Sequence, residues 1–293
     1  MALSLSISNF PGPVMKKNLV LLYANHAYLA HVKSLIVSLR ITGKWKGAIG
    51  VLSPDIKGDE LNAPNCFVRK NNKPKNPHII LSKLDLWGER FLLDWDAVLY
   101  MDCDTMCIGD INPLFDTIYQ HPNLLFCEPD RNTNKVFTLG DYFPHALSSA
   151  LDNLKESFTL SSVAFNSGVV GFRPAKVQKY HPSVGTEALD YISKYKDLIP
   201  ATEESLNSGI QWTDQQPLNM IFNQEWKSIG QQVCFWGLYH NNLINTNHTS
   251  ILHFFRWAAP WSNDNFCPLF NHTFKEEYNS NLKQYEQLDE YNY

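Results

Sequence analysis

Residues 97–104, Ala-Val-Leu-Tyr-Met-Asp-Cys-Asp, restrict the fold of this chain more than any other stretch. Five mostly apolar residues, bounded by Asp94-Trp95-Asp96 on one side and Gly109-Asp110 on the other, predict a short buried strand. Its carboxyl end carries two carboxylates one residue apart, Asp102 and Asp104. Ligand sites in open α/β sheets lie just beyond the carboxyl ends of strands. Two hard oxygen donors there suit Mg2+ or Mn2+, ions that usually also hold a phosphate. Taken alone, D-x-D serves equally well as a strand end or turn start, as at Asp110-Ile111-Asn112-Pro113.

The flanking chain favours a covered parallel sheet. Residues 18–23 (NLVLLY) read as a strand, apolar without a break from Leu19 on, as a strand buried on both faces should be. Ala24-Asn25-His26-Ala27 breaks that strand. A helix should follow, with Tyr28, Val32, Leu35, Ile36 and Leu39 on one face, Arg40 in its last turn and Gly43 at its end. Residues 48–52 read as a second strand, which completes a β-α-β opening with a right-handed crossover. The polar stretch 58–77 reads as an exposed excursion with one short strand near 66–69. A second helix is expected over 79–93, with Ile80, Leu84, Trp87 and Phe91 buried and Lys83 beside that stripe.

Further on, 124–127 predicts a strand, 131–160 an irregular active-site loop or insertion, and 163–172 an apolar strand. Gly168 inside that last pattern signals either a bulge or the close approach of a ligand or another backbone. A helix is expected over 181–198, and another opens at Thr213 as N-cap with Asp214 in its first turn. Residues 233–236 and 250–255 read as strands, the latter bearing His253. The polar tail, 273–293, reads as a solvated helix or a loose end. The expected organisation is an arm over 1–17, a single domain over 18–272 and that tail.

Composition excludes several classes. A chain of 293 residues with 44% hydrophobic and 18% charged residues can bury a full core. A net charge of -4 argues against a nucleic-acid partner. Six scattered cysteines without C-x-x-C or zinc spacing read as reduced thiols of a cytoplasmic-type environment, with a secretory lumen as the alternative for a trimmed chain. No apolar run is long enough to span a membrane, and the first residues lack a secretory signal pattern.

Several weak signals occur in one order: Asn25-His26-Ala27-Tyr28, Ser82-Lys83-Leu84, Asp102-Cys103-Asp104 and Phe165-Asn166-Ser167-Gly168-Val169. Asp214-Gln215 with Leu218-Asn219 follows, then His253-Phe254 with Pro260-Trp261. This ordered set resembles glycosyltransferase family 8, the group of glycogenin and the galactinol synthases. The resemblance implies a GT-A fold, an α/β/α sandwich with a mostly parallel Rossmann-like sheet. It also implies retaining sugar transfer from a nucleotide sugar, usually a UDP-sugar, to a glycan, protein or small-molecule hydroxyl, with Mn2+ (or Mg2+) and with frequent homodimers. By position it makes Asp102, Asp104 and His253 metal ligands, and Asn25 and Tyr28 the holders of ribose and uracil. Lys83, Cys103, Asn166 and Ser167 then line the donor, and Asp214 and Gln215 lie closest to the anomeric carbon. The imidazole nitrogen that His253 would add to the two carboxylates favours Mn2+ over Mg2+.

The chain departs from the family at its closing motif. The family carries Gly where this chain has Arg256 and Lys where it has Ala259. Arg256 is therefore expected to supply the missing cation to the diphosphate. Two rivals remain at this stage. One is a GT-A protein that binds nucleotide or carbohydrate without turnover. The other is a haloacid-dehalogenase-type phosphatase, disfavoured because Met106 stands where that class wants Thr or Val.

Overall fold

The computed structural model describes residues 16–71, 83–131, 135–143, 146, 148–195, 198, 213–230, 233–236, 249–254 and 268–288; 233–236 and 268–273 are described as backbone only. Strands β1 (Asn18–Tyr23), β2 (Ala48–Ser53), β3 (Cys66–Lys70) and β4 (Ala97–Met101) pair in parallel. Strand β7 (Val169–Phe172) runs antiparallel to β4 and to β6 (Leu125–Cys127), and β8 (Trp226–Ser228) closes the edge. The order is β3-β2-β1-β4-β7-β6-β8. A second sheet joins β5 (Thr105–Cys107), β10 (Ile251–Phe254) and β9 (Val233–Trp236) in the order β5-β10-β9.

Period-two alternation divides the core between the two faces of the main sheet. Val20 and Leu22 of β1, with Leu99 and Met101 of β4, pack under helices α1 (Leu29–Ile41) and α2 (Asn112–Gln120). Leu19, Leu21, Val98 and Tyr100 face the other way, onto two 3-10 segments, Lys83–Gly88 and Arg90–Asp94, and onto three helices. Those helices are α4 (Pro174–Tyr180), α5 (Val184–Lys194) and α6 (Gln215–Ile221); α3 (Ser148–Ser157) precedes them in the chain. All residues of β4 are buried, because both sheet faces are covered.

The chain runs β1, β2, β3 in one direction across the sheet and then returns to place β4 on the far side of β1. The carboxyl ends of β1 and β4 therefore flank the switch point, where a crevice must open.

Several elements differ from the sequence reading. Over 83–93 the expected α-helix is replaced by the two 3-10 segments; Glu89, extended at φ -76 and ψ 112, separates them. Of the expected strand 163–172 only β7 is regular, while Val163 and Phe165 make single bridges to Thr138 and Pro129. Within 131–160, expected to be irregular, the structure forms a 3-10 turn at Leu139–Tyr142 and α3. Both pack into a cluster containing Leu139, Phe143, Leu154, Tyr195 and Met220. The last helix, α7 (Pro268–Tyr285), does not stand in solvent: Tyr278, Asn281 and Tyr285, three to four residues apart, are buried, and Tyr285 joins the α1 side of the core. No helix among the described residues is long and apolar enough to cross a membrane.

Candidate active site

The site grows from the end of β4. Strand alternation puts Asp102 on the same side as Tyr100, whose hydroxyl donates to Asp102 Oδ1 at 2.5 Å. The Asp102 amide donates to the Gly168 carbonyl at 2.7 Å, and Thr105 Oγ1 donates to the Asp102 carbonyl, so the turn is fixed before its carboxylates are used. The next residue, Cys103, turns inward: it is buried, and its thiol donates to the Tyr23 carbonyl at 3.4 Å.

His253 arrives from the second sheet. Antiparallel pairing of β10 with β5 sets His253 opposite Thr105, one residue past Asp104. Its Nε2 lies 3.2 Å from Asp104 Oδ1 and 4.0 Å from Asp102 Oδ2. Gly168 makes room for the ring: a Cβ there would lie 2.1 Å from His253 Cε1. The group that comes close to this glycine is a side-chain imidazole, where a ligand or another backbone was expected.

Lys83 enters from the first 3-10 segment. Its Nζ lies 2.9 Å from Asp102 and 3.3 Å from Asp214 Oδ2. That segment is held close to α5 because Gly185 has no side chain; a Cβ there would meet the Leu84 carbonyl at 2.8 Å. Asp214 stands at the N-cap of α6 and its side chain makes no capping hydrogen bond. Thr213 nonetheless makes the expected capping contacts: its Oγ1 accepts from the Gln215 amide at 3.3 Å, Gln216 Oε1 accepts from the Thr213 amide at 3.0 Å, and Asp214 already has helical dihedrals, φ -65 and ψ -24. The 4% exposed Asp214 turns to Lys83 rather than to the helix end.

Gln215, the next residue, faces a different set of partners. Its Oε1 accepts from the Ser167 amide at 3.1 Å, and its Nε2 donates to Asp130 Oδ2 and to the Tyr142 hydroxyl, both at 2.9 Å. Tyr142 in turn donates to the same Asp130 oxygen. Beneath them Asn219 pairs with the backbone of Phe165 in both directions, at 2.7 and 2.8 Å, and Asn166 Oδ1 accepts from the Gly168 amide. Asn166 and Ser167 are both buried. Sequence reasoning missed Asp130, Tyr142 and Tyr100. Asp130 lies three residues past the end of β6, where Asp102 directly follows β4, so a looser form of the same strand-end rule could have found it.

At the end of β1, Asn25 leads into the 3-10 turn His26–Tyr28. Tyr28 is 41% exposed, and Asn25 Oδ1 is buried with no hydrogen-bond partner among the described residues. Arg256, Pro260 and Trp261 lie outside the described residues.

Burial, then the carboxylates of Asp104 and Asp214, push the Asp102 carboxyl up, and Lys83 and His253 only partly offset them. Burial disfavours the Lys83 cation, but Asp102 and Asp214 outweigh it and hold the ammonium charged. Burial also opposes the charged forms of Asp104 and His253; their mutual attraction wins, lowering the carboxyl and raising the imidazole. Asp102, Asp104 and His253 each present a ligand atom, all within 4.8 Å of one another. Three carboxylates face one ammonium and one imidazole, so the donor set fits a divalent cation in both chemistry and charge.

A covered mixed sheet with this acidic, strand-end site at the switch point defines the class: a GT-A glycosyltransferase fold. The sequence profile of glycosyl transferase family 8 matches residues 67–265, more than half of the chain. The chain belongs to that family.

Solved structures agree on the fold. The galactosyltransferase LgtC, crystallised with donor and acceptor sugar analogues, superposes with a TM-score of 0.62 at 17% identity, covering 89% of this chain and 95% of its own. The glycosyltransferase GlyE of Streptococcus pneumoniae TIGR4 gives 0.59 at 16% identity, covering 93% of this chain and 64% of its own. The bifunctional glycosyltransferase WbbM gives 0.60 at 14% identity, covering 96% of this chain and 52% of its own. No curated protein matches the chain.

Proposed function

We propose that this protein transfers a sugar, with retention of anomeric configuration, from a UDP-sugar such as UDP-glucose to an acceptor hydroxyl, with Mn2+ as its ion. The observation that carries the reading is the convergence of Asp102, Asp104 and His253 beside the Lys83–Asp214 pair. Asp102, Asp104 and His253 would hold the cation, which when bound offsets the charge that develops on the departing diphosphate.

The chain's own residues supply the rest. The exposed ring of Tyr28 offers a face for the uracil, and the Asn25 oxygen, which has no partner among the described residues, offers an acceptor for a ribose hydroxyl. Lys83 bridges the metal-side carboxylate Asp102 and the reaction-side carboxylate Asp214, and so fixes their separation. Asn166 and Ser167 form the floor on which the donor sugar lies.

Retention needs either two displacements or attack from the face the leaving group vacates. Asp214 is the carboxylate available as nucleophile. The Gln215 carboxamide supports an oxocarbenium-like centre and is fixed for that role by Ser167, Asp130 and Tyr142. Arg256 replaces the family's closing lysine at the diphosphate; Arg256→Ala should then weaken donor binding, and an unchanged affinity would remove that role.

The test is a donor screen with Mn2+ and a panel of UDP- and GDP-sugars, following release of free nucleotide. Release from one donor, lost in Asp104→Asn and on chelation of the ion, is the expected result. No release from any donor, with no UDP binding by calorimetry, would overturn the proposal.

A further inference from the structure

Helix α7 lies against both supports of the donor site. On one side Phe274 packs edge-on against Phe254, the residue after His253, with ring centroids 5.8 Å apart. Phe254 is itself fixed by its amide, which donates to the Asp104 carbonyl at 2.8 Å. On the other side the Tyr278 hydroxyl and His31 Nδ1 are hydrogen-bonded at 2.7 Å, with the rings edge-on at 5.7 Å. His31, in the first turn of α1, meets Tyr28 edge-on at 5.5 Å. Tyr278 is 7% exposed and belongs to a cluster with Met106, Leu252 and Phe254, so its own position is fixed by the sheet that carries His253.

Three rings thus run from a buried anchor to an exposed tip. Tyr28 has no cap hydrogen bond to the helix and is the exposed member. An exposed tyrosine has free rotamers to lose when a base stacks on it. A neighbour that already restricts the ring lowers that cost before the ligand arrives. Burial holds His31 below the usual histidine range and pushes the Tyr278 hydroxyl up to about 12. A neutral imidazole facing a protonated phenol can keep this bond across the neutral pH range.

We propose that Tyr278 is a positioning residue for the nucleotide end of the donor site, acting through His31 on Tyr28. The helix that follows the family motifs is then part of the binding apparatus and not a tail. The inference rests on the proposed role of Tyr28 in holding the base.

The experiment is calorimetry of UDP with Mn2+ on the full chain, as wild type, Tyr278→Phe, Tyr28→Ala and the double variant. Tyr278→Phe keeps the ring and its packing and removes one hydrogen bond. UDP affinity should fall about 5-fold, the equivalent of one such bond. In the Tyr28→Ala background the same change should cost nothing further, because the contact it supports is gone. His31→Gln, which keeps a hydrogen-bonding group but loses the ring against Tyr28, should also weaken UDP binding. Equal UDP affinity in wild type and Tyr278→Phe would overturn the inference while leaving the reading of the site intact. A full loss that persists in the Tyr28→Ala background would also overturn it, since Tyr278 would then act by bracing the fold. Absence of UDP binding by the wild type would overturn both the inference and the reading beneath it.

Discussion

Asp214 and Gln215 are consecutive residues, yet they open onto two networks of opposite character. Asp214 meets Lys83, and through it Asp102, Asp104 and His253, a cluster in which nearly every member carries charge. Gln215 meets Asp130, Tyr142 and the Ser167 amide, where one carboxylate is held by neutral donors. The start of α6 makes this division, since side chains one residue apart on a helix do not face the same way. The charged network has too little positive charge for its carboxylates and suits a cation and a diphosphate. The neutral network has its hydrogen bonds made and suits holding a carboxamide still. Change of charge should therefore hurt the first network far more than the second.

The largest effects should come from the charged side. Asp102→Asn removes a proposed metal ligand and one of the two partners of Lys83, and should lower turnover by about 100-fold or more. Steady-state rates at saturating Mn2+ check this. Lys83→Met leaves Asp102 and Asp214 buried without their shared cation and should cost about 3–5 kcal/mol of stability. Denaturant unfolding of the metal-free protein measures it, and a loss within error would mean the bridge is not formed in solution. Gly168→Ala touches no ligand atom but drives a methyl into the His253 ring. It should weaken Mn2+ binding by about 10- to 100-fold, the usual scale for disturbing the support of a metal-ligating histidine.

The parts of this site that sequence could reach follow from local rules. The strand β1 was legible because a run of five apolar residues, Leu19 to Tyr23, has few other uses, and Asp102 and Asp104 were legible because they end such a run. Lys83 was not, from its own surroundings: a lysine on a helix is ordinarily solvated, and only the 3-10 geometry of Lys83–Gly88 and the approach of α5 at Gly185 turn it inward. Asp214 was ambiguous for a related reason, since a carboxylate in a helix's first turn is ordinarily explained by the helix dipole, and the choice depends on a lysine 131 positions earlier in the chain. Asp130 and Tyr142 lay in a stretch with no clear period, whose order comes from Leu139 and Phe143 packing against Tyr195 and Met220. The polar composition of the last residues allowed a helix but hid its burial, because the buried stripe is made of Tyr278, Asn281 and Tyr285, residue types that do not score as core.

The smallest effect belongs to the neutral network and is best read through pH. Burial raises the Asp130 carboxyl above its usual range, although Tyr142, Asn166 and Gln215 all donate to its charged form. An acid whose folded value lies above its unfolded value binds more protons in the folded state between the two. Stability attributable to it then falls as pH rises from about 3.9, the unfolded value, through the raised folded value, and is constant outside that window. Asp130→Asn abolishes this titration while keeping a group able to accept from Tyr142. The difference in unfolding free energy between wild type and variant should therefore change only across that window, with the wild type losing ground as pH rises. At neutral pH the variant should retain most of its turnover, because the carboxamide still meets Gln215. A loss on the scale of Asp102→Asn would mean that the Asp130 charge takes part in the reaction, and the contrast between the two networks would fail at that residue.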